Sequence, residues 1–473
     1  MNRRLGLLAG IAALATTGVS HAADAPMRPD QQAFRALYKE LVETDTSITT
    51  GSCTALADKV EAHLKAAGFT DADITRFAVP EHPREGGLVA ILPGTANPKV
   101  LKPILLLGHL DVVVAKREDW TRDPYVLVEE GGYFYGRGTQ DMKAMDAVWI
   151  DMMMRFKKEG YKPKRTLKLA LTCGEETSTA FNGAQWLSQN KRELIDAAFA
   201  LNEGGGGRTD GKGTVQRMSL HVGEKKPMNF RIEATNEGGH SSAPVRDNAI
   251  YELADALVKV RDLEFPVMLS DTTRAFFSRL GPTLNDETGK AMVAIAANPK
   301  DAAAEAVLNK DKSYHSMLRT TCVATMLDGG HANNALPQRA GVNINCRVFP
   351  GVDAETVRAA LEKAIADPRM TVKLLEVRGP AAKPPPLTKQ ILEPAEKLVA
   401  KYYPGVPLVP TMSTGATDGI FLEAVGIPSY GPPGLYGDPD GNGTHGLNER
   451  AIVKAVYTGR DFLTELVKDY AAR

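Results

Sequence analysis

The stretch ILLLGHLD, residues 104–111, decides the fold, because a short apolar run ends directly in an imidazole and a carboxylate. A second stretch, LKLALTCGEE at residues 167–176, repeats this arrangement and ends in two adjacent glutamates. Short apolar runs bounded by glycine and polar residues are typical of strands buried on both faces of a sheet. Functional groups collect in such sheets where the strands end. We therefore expect an open α/β sheet whose strand ends carry the chemistry.

Other segments continue the alternation of strand and helix. Residues 88–92 and 197–201 are also short and apolar, and a helix at about 390–402 and a strand at 427–430 follow near the C-terminus. An amphipathic helix, with methionines that pack in the core, is predicted by four apolar residues at helical spacing: Met145, Val148, Met152 and Phe156.

The middle of the chain has a different pattern. Residues 228–234 alternate apolar and polar side chains, and residues 342–349 and 370–377 look similar. This pattern is typical of strands with one exposed face. Helical stretches lie between them, so we expect an inserted α+β domain with an antiparallel sheet. A proline-rich connector at 380–386 then leads back to the α/β pattern.

The domain prediction has four parts. They are a signal peptide at 1–23, a first catalytic part at 27–217, an inserted domain at 218–384 and a second catalytic part at 385–473. The signal peptide is predicted from a basic start, a short apolar run and small residues near Ala22 and Ala23. The run is too short and too diluted by small residues to span a membrane. We therefore expect export, with a bacterial periplasm as the compartment.

Composition excludes several classes of protein. The 473 residues carry 57 Lys+Arg against 57 Asp+Glu, with 43% hydrophobic and 24% charged residues. These are globular values, which exclude a disordered or fibrous chain. The balanced charge gives no overall attraction to nucleic acid or to anionic membranes. A soluble protein that acts on small molecules is expected.

The chain has four cysteines, Cys53, Cys173, Cys322 and Cys346, and none lies in a C-x-x-C pair. A thiolate zinc site is therefore not indicated. An oxidising compartment permits disulfides, and three pairings are open. We favour Cys322 with Cys346, because both lie in strand-like runs of one region.

Candidate chemistry lies at five places near predicted strand ends or helix starts. Each place alone is compatible with a helix cap or a satisfied core residue, but several carboxylates at one sheet edge would repel each other without cations. Imidazole and carboxylate without thiolate form the donor set of a hydrolytic zinc, cobalt or manganese site. The five places are His109–Asp111, Asp141, Glu175–Glu176, Glu203 and His445.

In this order, these residues resemble the dizinc exopeptidase family that includes glutamate carboxypeptidase, aminoacylase, acetylornithine deacetylase and succinyl-diaminopimelate desuccinylase. The resemblance implies a zinc-exopeptidase-like mixed sheet covered by helices, with an inserted ferredoxin-like lid or dimerisation domain. It implies two zinc ions per subunit, with cobalt or manganese as alternatives. One would be held by His109, Asp141 and Glu203, and the other by Glu176, His445 and Asp141.

The resemblance also implies roles for other residues. Glu175 would be the general base, Asp111 would orient the His109 ring, and a cis peptide is expected after Asp141. In the inserted domain, His240 would stabilise the oxyanion, in its own or a partner subunit's site. Substrate contacts would come from Asn334, Arg347 and Gly415. Residues 280–312 look like an expansion of the lid, and Cys173 departs from the family pattern.

Other functions fit the sequence less well. Residues 204–213 contain a near P-loop that lacks the required Ser or Thr after the lysine, and no serine-hydrolase elbow is present. A non-catalytic metal-binding relative remains a competing hypothesis. We expect an exported dizinc hydrolase that cleaves an amide bond of a peptide or N-acyl amino acid next to a free carboxylate, with an aminoacylase-type activity as the alternative. A homodimer through the inserted domain is also expected.

Overall fold

The computed structural model describes residues 27–177, 181–377 and 384–473. The predicted signal peptide and part of the proline-rich connector lie outside the described residues. The helices of the described part are α1 (Pro29–Glu43), α2 (Cys53–Ala66), α3 (Lys143–Lys158), α4 (Gly183–Asn190), α5 (Arg192–Ile195), α6 (Ala249–Arg261), α7 (Asp271–Leu280), α8 (Glu287–Ala297), α9 (Ala302–Leu308), α10 (Lys312–Leu318), α11 (Ala354–Ile365), α12 (Lys389–Tyr402), α13 (Gly419–Ala424) and α14 (Val453–Ala471).

The strands form two main sheets and two small ones. They are β1 (Ile74–Val79), β2 (His82–Leu92), β3 (Ile104–His109), β4 (Val128–Glu130), β5 (Tyr133–Tyr135), β6 (Leu167–Thr172), β7 (Phe199–Leu201), β8 (Gly206–Thr209), β9 (Val215–Glu224), β10 (Lys226–Thr235), β11 (Gly239–His240), β12 (Thr321–Gly329), β13 (Ala335–Leu336), β14 (Arg339–Val348), β15 (Thr371–Val377), β16 (Leu408–Ser413), β17 (Ser429–Gly431), β18 (Tyr436–Gly437) and β19 (Arg450–Ile452).

The large sheet confirms the predicted α/β architecture. Its strand order is β1-β2-β6-β3-β7-β17-β9-β8-β18, with β16 beside β9. The central strands β6, β3 and β7 are parallel, and every residue of β3 and β6 is buried. The core on one face includes residues of α1, α2, α3, α12 and α14, and the other face packs against α4, α5 and α13. The four apolar residues that predicted α3 all lie in the first core.

The inserted domain has its own four-stranded antiparallel sheet, in the order β12-β14-β10-β15. Helices α6 and α11 contribute to its separate hydrophobic core. The chain order β10-α6-β12-β14-α11-β15 is the ferredoxin-like arrangement. The predicted lid fold is therefore present, and we call this unit (β10 to β15 with α6 and α11) the lid.

The chain enters the lid later than the sequence indicated. Strand β9 ends at Glu224 and belongs to the large sheet, where it pairs with β8, β16 and β17. The change of sheet comes at Lys226, so the predicted boundary at 217/218 falls inside a strand. The alternating run that indicated the lid begins only at residue 228, after β9 has ended.

Helices α7 to α10 do not extend the lid core, contrary to the expectation for residues 280–312. They form a separate core that includes Phe277, Met292 and Leu318 together with Val409 of β16. Arg279 of α7 also donates from Nη1 to the carbonyl of Leu408, at 3.2 Å. This helical unit therefore packs against the edge of the large sheet.

Two disulfides are present in the structure. Cys322 and Cys346 are register partners on β12 and β14 and are bonded, as predicted. Cys53, the first residue of α2, is bonded to Cys173 in the loop after β6. The departure at Cys173 is thus a structural cross-link. Among the described helices, none is long and apolar enough to cross a membrane.

Candidate active site

His109 ends β3 and is buried at the carboxyl edge of the large sheet. Its Nδ1 lies 3.0 Å from the main-chain carbonyl oxygen of Asp111, which accepts the Nδ1 proton. The Nε2 atom then faces Asp141 Oδ1 at 3.2 Å and Glu203 Oε2 at 3.6 Å. Fixing Nδ1 as the donor leaves Nε2 as the atom available to a metal.

Asp111 contacts the His109 ring through its main chain. Its carbonyl orients the ring, whereas its carboxylate Oδ1 lies 3.8 Å from Nδ1. The two carboxylate oxygens instead accept the backbone N–H groups of Glu175, at 3.3 Å, and of Glu176, at 3.0 Å. Asp111 therefore positions both the imidazole and the loop that carries the two glutamates.

Asp141 lies in the turn before α3, and a residue that sequence reasoning missed shapes this turn. The buried carboxylate of Glu449 accepts the N–H groups of Gln140 and Asp141, at 2.8 and 3.0 Å, and pairs with Arg137 at 2.6 Å. The Asp141–Met142 peptide is cis, as expected. In the sequence, the one feature that could have pointed to Glu449 is its position four residues after His445, in the same loop.

His445 completes the cluster from the loop before β19. Its backbone φ is +60°, in the left-handed region, and its Nε2 lies 3.1 Å from Asp141 Oδ2 and 2.9 Å from Glu176 Oε2. The Asp141 carboxylate thus stands between two imidazoles. Hydrogen bonds from His109 and His445 lower the pKa of Asp141, although burial opposes this change.

The glutamates carry unfavourable charge unless a cation is present. Burial and the neighbouring Glu203 carboxylate raise the pKa of Glu175 to about 10. Burial raises the pKa of Glu203 to about 7 and that of the nearby Asp418 to about 6. The Oε1 atom of Glu203 is buried and has no hydrogen-bond partner in the described part of the chain. Buried carboxylates this close together need a compensating positive charge.

The donor atoms fit a metal site. One group with atoms within 4.8 Å of each other is His109, Asp141 and Glu176, and another is His109, Glu175 and Glu203. With His445 these groups contain all five predicted ligands. Imidazole nitrogens and carboxylate oxygens suit zinc, cobalt or manganese in a hydrolytic centre.

The predicted substrate residues lie outside this cluster. His240 is exposed, and its Nδ1 accepts from the N–H and hydroxyl of Ser242, at 3.1 and 2.7 Å. Asn334 lies beside it, since its carbonyl accepts the N–H of Ser241. In the described residues, no hydrogen bond or ion pair joins His240 or Asn334 to the predicted ligands. Arg347 lies on β14 opposite Pro227 and Thr321, and Gly415 is exposed in the loop after β16.

The near P-loop adopts a different structure. Residues 206–209 form β8, which turns directly into the antiparallel β9. A P-loop requires a strand followed by the loop and a helix, so this segment is not a phosphate-binding loop of that kind.

The class of protein follows from where the cluster sits. The predicted metal ligands meet at the strand ends of a helix-covered mixed sheet that carries a ferredoxin-like lid, and this combination is typical of metal-dependent peptidases and related amidohydrolases. The chain belongs to peptidase family M20/M25/M40, whose sequence pattern matches residues 105–469. The resemblance drawn from the sequence is therefore confirmed.

Individual relatives divide between peptidases and acylases. The human N-fatty-acyl-amino acid synthase/hydrolase PM20D1 is 28% identical over 379 residues, covering 78% of this chain and 74% of the relative. Rat aminoacylase-1A is 25% identical over 410 residues, covering 82% and 84%. The crystal structure of an M20 family metallo-carboxypeptidase from Sulfolobus solfataricus superposes with a TM-score of 0.67 at 18% identity, covering 94% of this chain and 100% of the other.

Proposed function

We propose that this chain is an exported dizinc hydrolase that cleaves the amide bond of a peptide or N-acyl amino acid next to a free carboxylate. The observation that carries the proposal is the Asp141 carboxylate, which lies 3.2 Å from the His109 imidazole and 3.1 Å from the His445 imidazole. A carboxylate between two imidazoles is suited to bridge two cations.

The residues of the cluster fit two metal ions. When bound, zinc, cobalt or manganese ions polarise a carbonyl and lower the pKa of water. His109, Asp141 and Glu203 would hold one ion, and Glu176, His445 and Asp141 the other. Glu175 would be the base that takes a proton from water and delivers it to the leaving nitrogen, because its carboxylate lies with His109 and Glu203.

Substrate binding is assigned to the lid. The guanidinium of Arg347 would grip the free carboxylate with two hydrogen bonds, aided by Asn334, while Gly415 lines the pocket. His240 would stabilise the developing oxyanion. Because His240 is exposed and lies outside the cluster, this role requires movement of its own lid or the lid of a partner subunit.

A homodimer through the lid is part of the proposal. Strand β12 lies at the edge of the lid sheet and exposes three apolar side chains, Val323, Met326 and Leu327, by 59%, 71% and 67%. Tyr251 of the neighbouring α6 is 59% exposed. An exposed apolar edge strand is a template for pairing with another chain.

Export to a bacterial periplasm rests on the N-terminal sequence and agrees with the disulfides. Both cross-links, Cys53–Cys173 and Cys322–Cys346, are suited to an oxidising compartment. An exported hydrolase of this class would scavenge peptides or acylated amino acids.

The test is amino-acid release from a panel of dipeptides and N-acyl amino acids, each with a C-terminally amidated control. The panel is run with zinc and with a chelator. Chelator-sensitive release from free-carboxylate substrates alone is the expected result. Release from amidated substrates would contradict the role of Arg347.

A preference for acyl amino acids over dipeptides would establish the aminoacylase-type alternative, which the relationship to aminoacylase-1A supports. A zinc-loaded protein that releases nothing would be a non-catalytic relative.

A further inference from the structure

A cavity of about 360 Å³ lies beside the predicted metal-ligand side chains, which we call the metal cluster, between the β8–β9 hairpin and residues 437–444. A second cavity of about 200 Å³ is lined by Asp141 and Glu203 and shares Gln140, Gly204–Gly207, Gly437 and Thr444 with the first. The two cavities therefore form one path that starts at the predicted ligands and ends at Arg208 and Arg217.

The glycines at Gly204–Gly207 allow the main chain to lie close to its neighbours along this path. A Cβ atom at Gly205 would collide with the carbonyl of Gly431, and one at Gly207 would lie 2.7 Å from the sulfur of Met218. Glycine is therefore required at these two positions for the main chain to keep its place in the wall of the path.

The residues that line the path change from apolar to polar along its length. Near the metal cluster the smaller cavity is lined by Met142, Met145 and Leu435. The far end is polar and carries the two arginines. A ligand that fits this wall has a short apolar part followed by a negatively charged end.

The two arginines lack compensating charge. Arg208 and Arg217 are register partners on β8 and β9, and like charges directly opposite each other are destabilising. Arg217 has a buried Nε without a hydrogen-bond partner, and no described carboxylate lies within ion-pair distance of it. Burial and the charge of Arg208 both lower the pKa of Arg217.

Among the described residues, Asp438 is the carboxylate in the wall of the larger cavity, and it is already engaged. Asp438 accepts hydrogen bonds from the hydroxyls of Thr209 and Tyr133, each at 2.7 Å. Arg208 donates to the carbonyl of Pro439, which supplies no negative charge. Arg208 is exposed, but Arg217 is only partly exposed, so its unpaired charge is costly and an incoming anion would reduce this cost.

We propose that this path is the subsite for the acyl side of the cleaved amide, and that Arg208 and Arg217 select a short acyl group that ends in a carboxylate. The inference rests on the proposed function, in which the lid holds the amine-side carboxylate and the metal cluster holds the scissile carbonyl. The acyl part then extends away from the lid residues, along the path. A monoamide of a short dicarboxylic acid and a peptide with an acidic first residue have the required chemistry.

The test compares three substrates that share one amino acid and differ in the acyl group: N-glutaryl, its methyl ester, and N-pentanoyl. We expect kcat/KM to favour the free glutaryl acid by about 10- to 100-fold, the value of a charge-assisted hydrogen-bonded pair. Arg217→Met and Arg208→Met should bring this ratio close to one while the N-pentanoyl substrate is still cleaved. Lys212→Met is the matched control, because Lys212 is an exposed cation in the same hairpin.

Two further measurements distinguish a role of Arg217 in substrate selectivity from a purely structural role. Since Arg217 is unpaired, Arg217→Met should leave Tm unchanged or raise it, whereas a structural role would lower it. Calorimetry measures the binding of glutarate to the chelator-treated protein. This binding should be lost in Arg217→Met and kept in Lys212→Met.

Failure of this inference differs from failure of the proposed function. Equal kcat/KM for the anionic and neutral acyl groups would overturn the inference and leave the hydrolase intact. An unchanged substrate ratio in Arg217→Met would also overturn it. No cleavage of any substrate by zinc-loaded protein would contradict the proposed function, and Arg217-dependent glutarate binding would then still identify an anion site.

Discussion

The carboxylate of Asp111 accepts the backbone N–H of Glu176 at 3.0 Å. This bond links the end of β3 to the loop after β6, so that one side chain sets the distance between His109 and the two glutamates. Two of the predicted metal-site segments are thus held together by a hydrogen bond from a backbone N–H to a side-chain carboxylate, which needs no metal.

Asp111→Ala should therefore lower both turnover and metal affinity, each by about 10- to 100-fold, the usual effect of losing a residue that orients ligands. Asp111→Asn is the milder variant, because it keeps one acceptor for the two N–H groups. The measurements are kcat and zinc per chain after dialysis. Normal zinc affinity in Asp111→Ala would show that the loop holds its position without this residue.

Glu175→Gln should keep its metal and lose about 10²- to 10⁴-fold in kcat, the range for a positioned general base. His445→Ala should instead lose metal, because it removes the imidazole that faces Asp141 and Glu176. Zinc content and kcat measured on both variants distinguish the two effects. Full activity in Glu175→Gln would refute the base assignment.

The Cys53–Cys173 cross-link should matter to catalysis, because Cys173 lies two residues before Glu175. The double variant Cys53→Ala/Cys173→Ala should lose about 2–4 kcal/mol of stability and also kcat and zinc affinity. Cys322→Ala/Cys346→Ala is the matched control, since this bond lies within the lid sheet. A kcat that falls equally in both pairs would assign the effect to general stability.

Glu423 of α13 should make stability depend on pH. Burial raises its pKa from 4.5 to about 8, and the nearby Glu224 carboxyl is also buried. The folded state binds the proton more tightly, so Glu423 lowers stability as the pH rises from about 4.5 to 8. Glu423→Gln should raise the free energy of unfolding at pH 8 by on the order of 1 kcal/mol and change little at pH 4.5. Urea unfolding at both pH values is the measurement, and an equal effect at both would contradict it.

Leu327→Lys should dissociate the proposed dimer, because it places a charge in the exposed apolar edge of the lid. Val100→Lys is the control, since Val100 is also exposed, by 85%, but lies on the catalytic domain. Light scattering gives the mass of each variant. A monomeric parent protein would remove the partner subunit from the assignment of His240.

Sequence patterns were sufficient where local chemistry determines structure. The continuous apolar runs of β3 and β6 predicted buried strands, and the His and Glu residues at their ends predicted the metal cluster. The lid boundary was placed too early, because the alternating run at 228–234 marks the lid sheet but does not show where the preceding strand β9 of the large sheet ends. Glu449 was missed because its contacts with Gln140 and Asp141 join segments distant in sequence. Such contacts are defined only by the tertiary fold.

The chain enters and leaves the lid at the same end of its sheet. Lys226 begins β10, Val377 ends β15, and Met228 pairs directly with Val377. The two crossings are therefore neighbours, so the lid can be exchanged as one insert only if the new insert also covers Val409 of β16, against which α7 to α10 pack. Under that condition, the residues proposed to grip the amine side of a substrate can be replaced during evolution while the candidate hydrolytic centre in the large sheet is inherited unchanged.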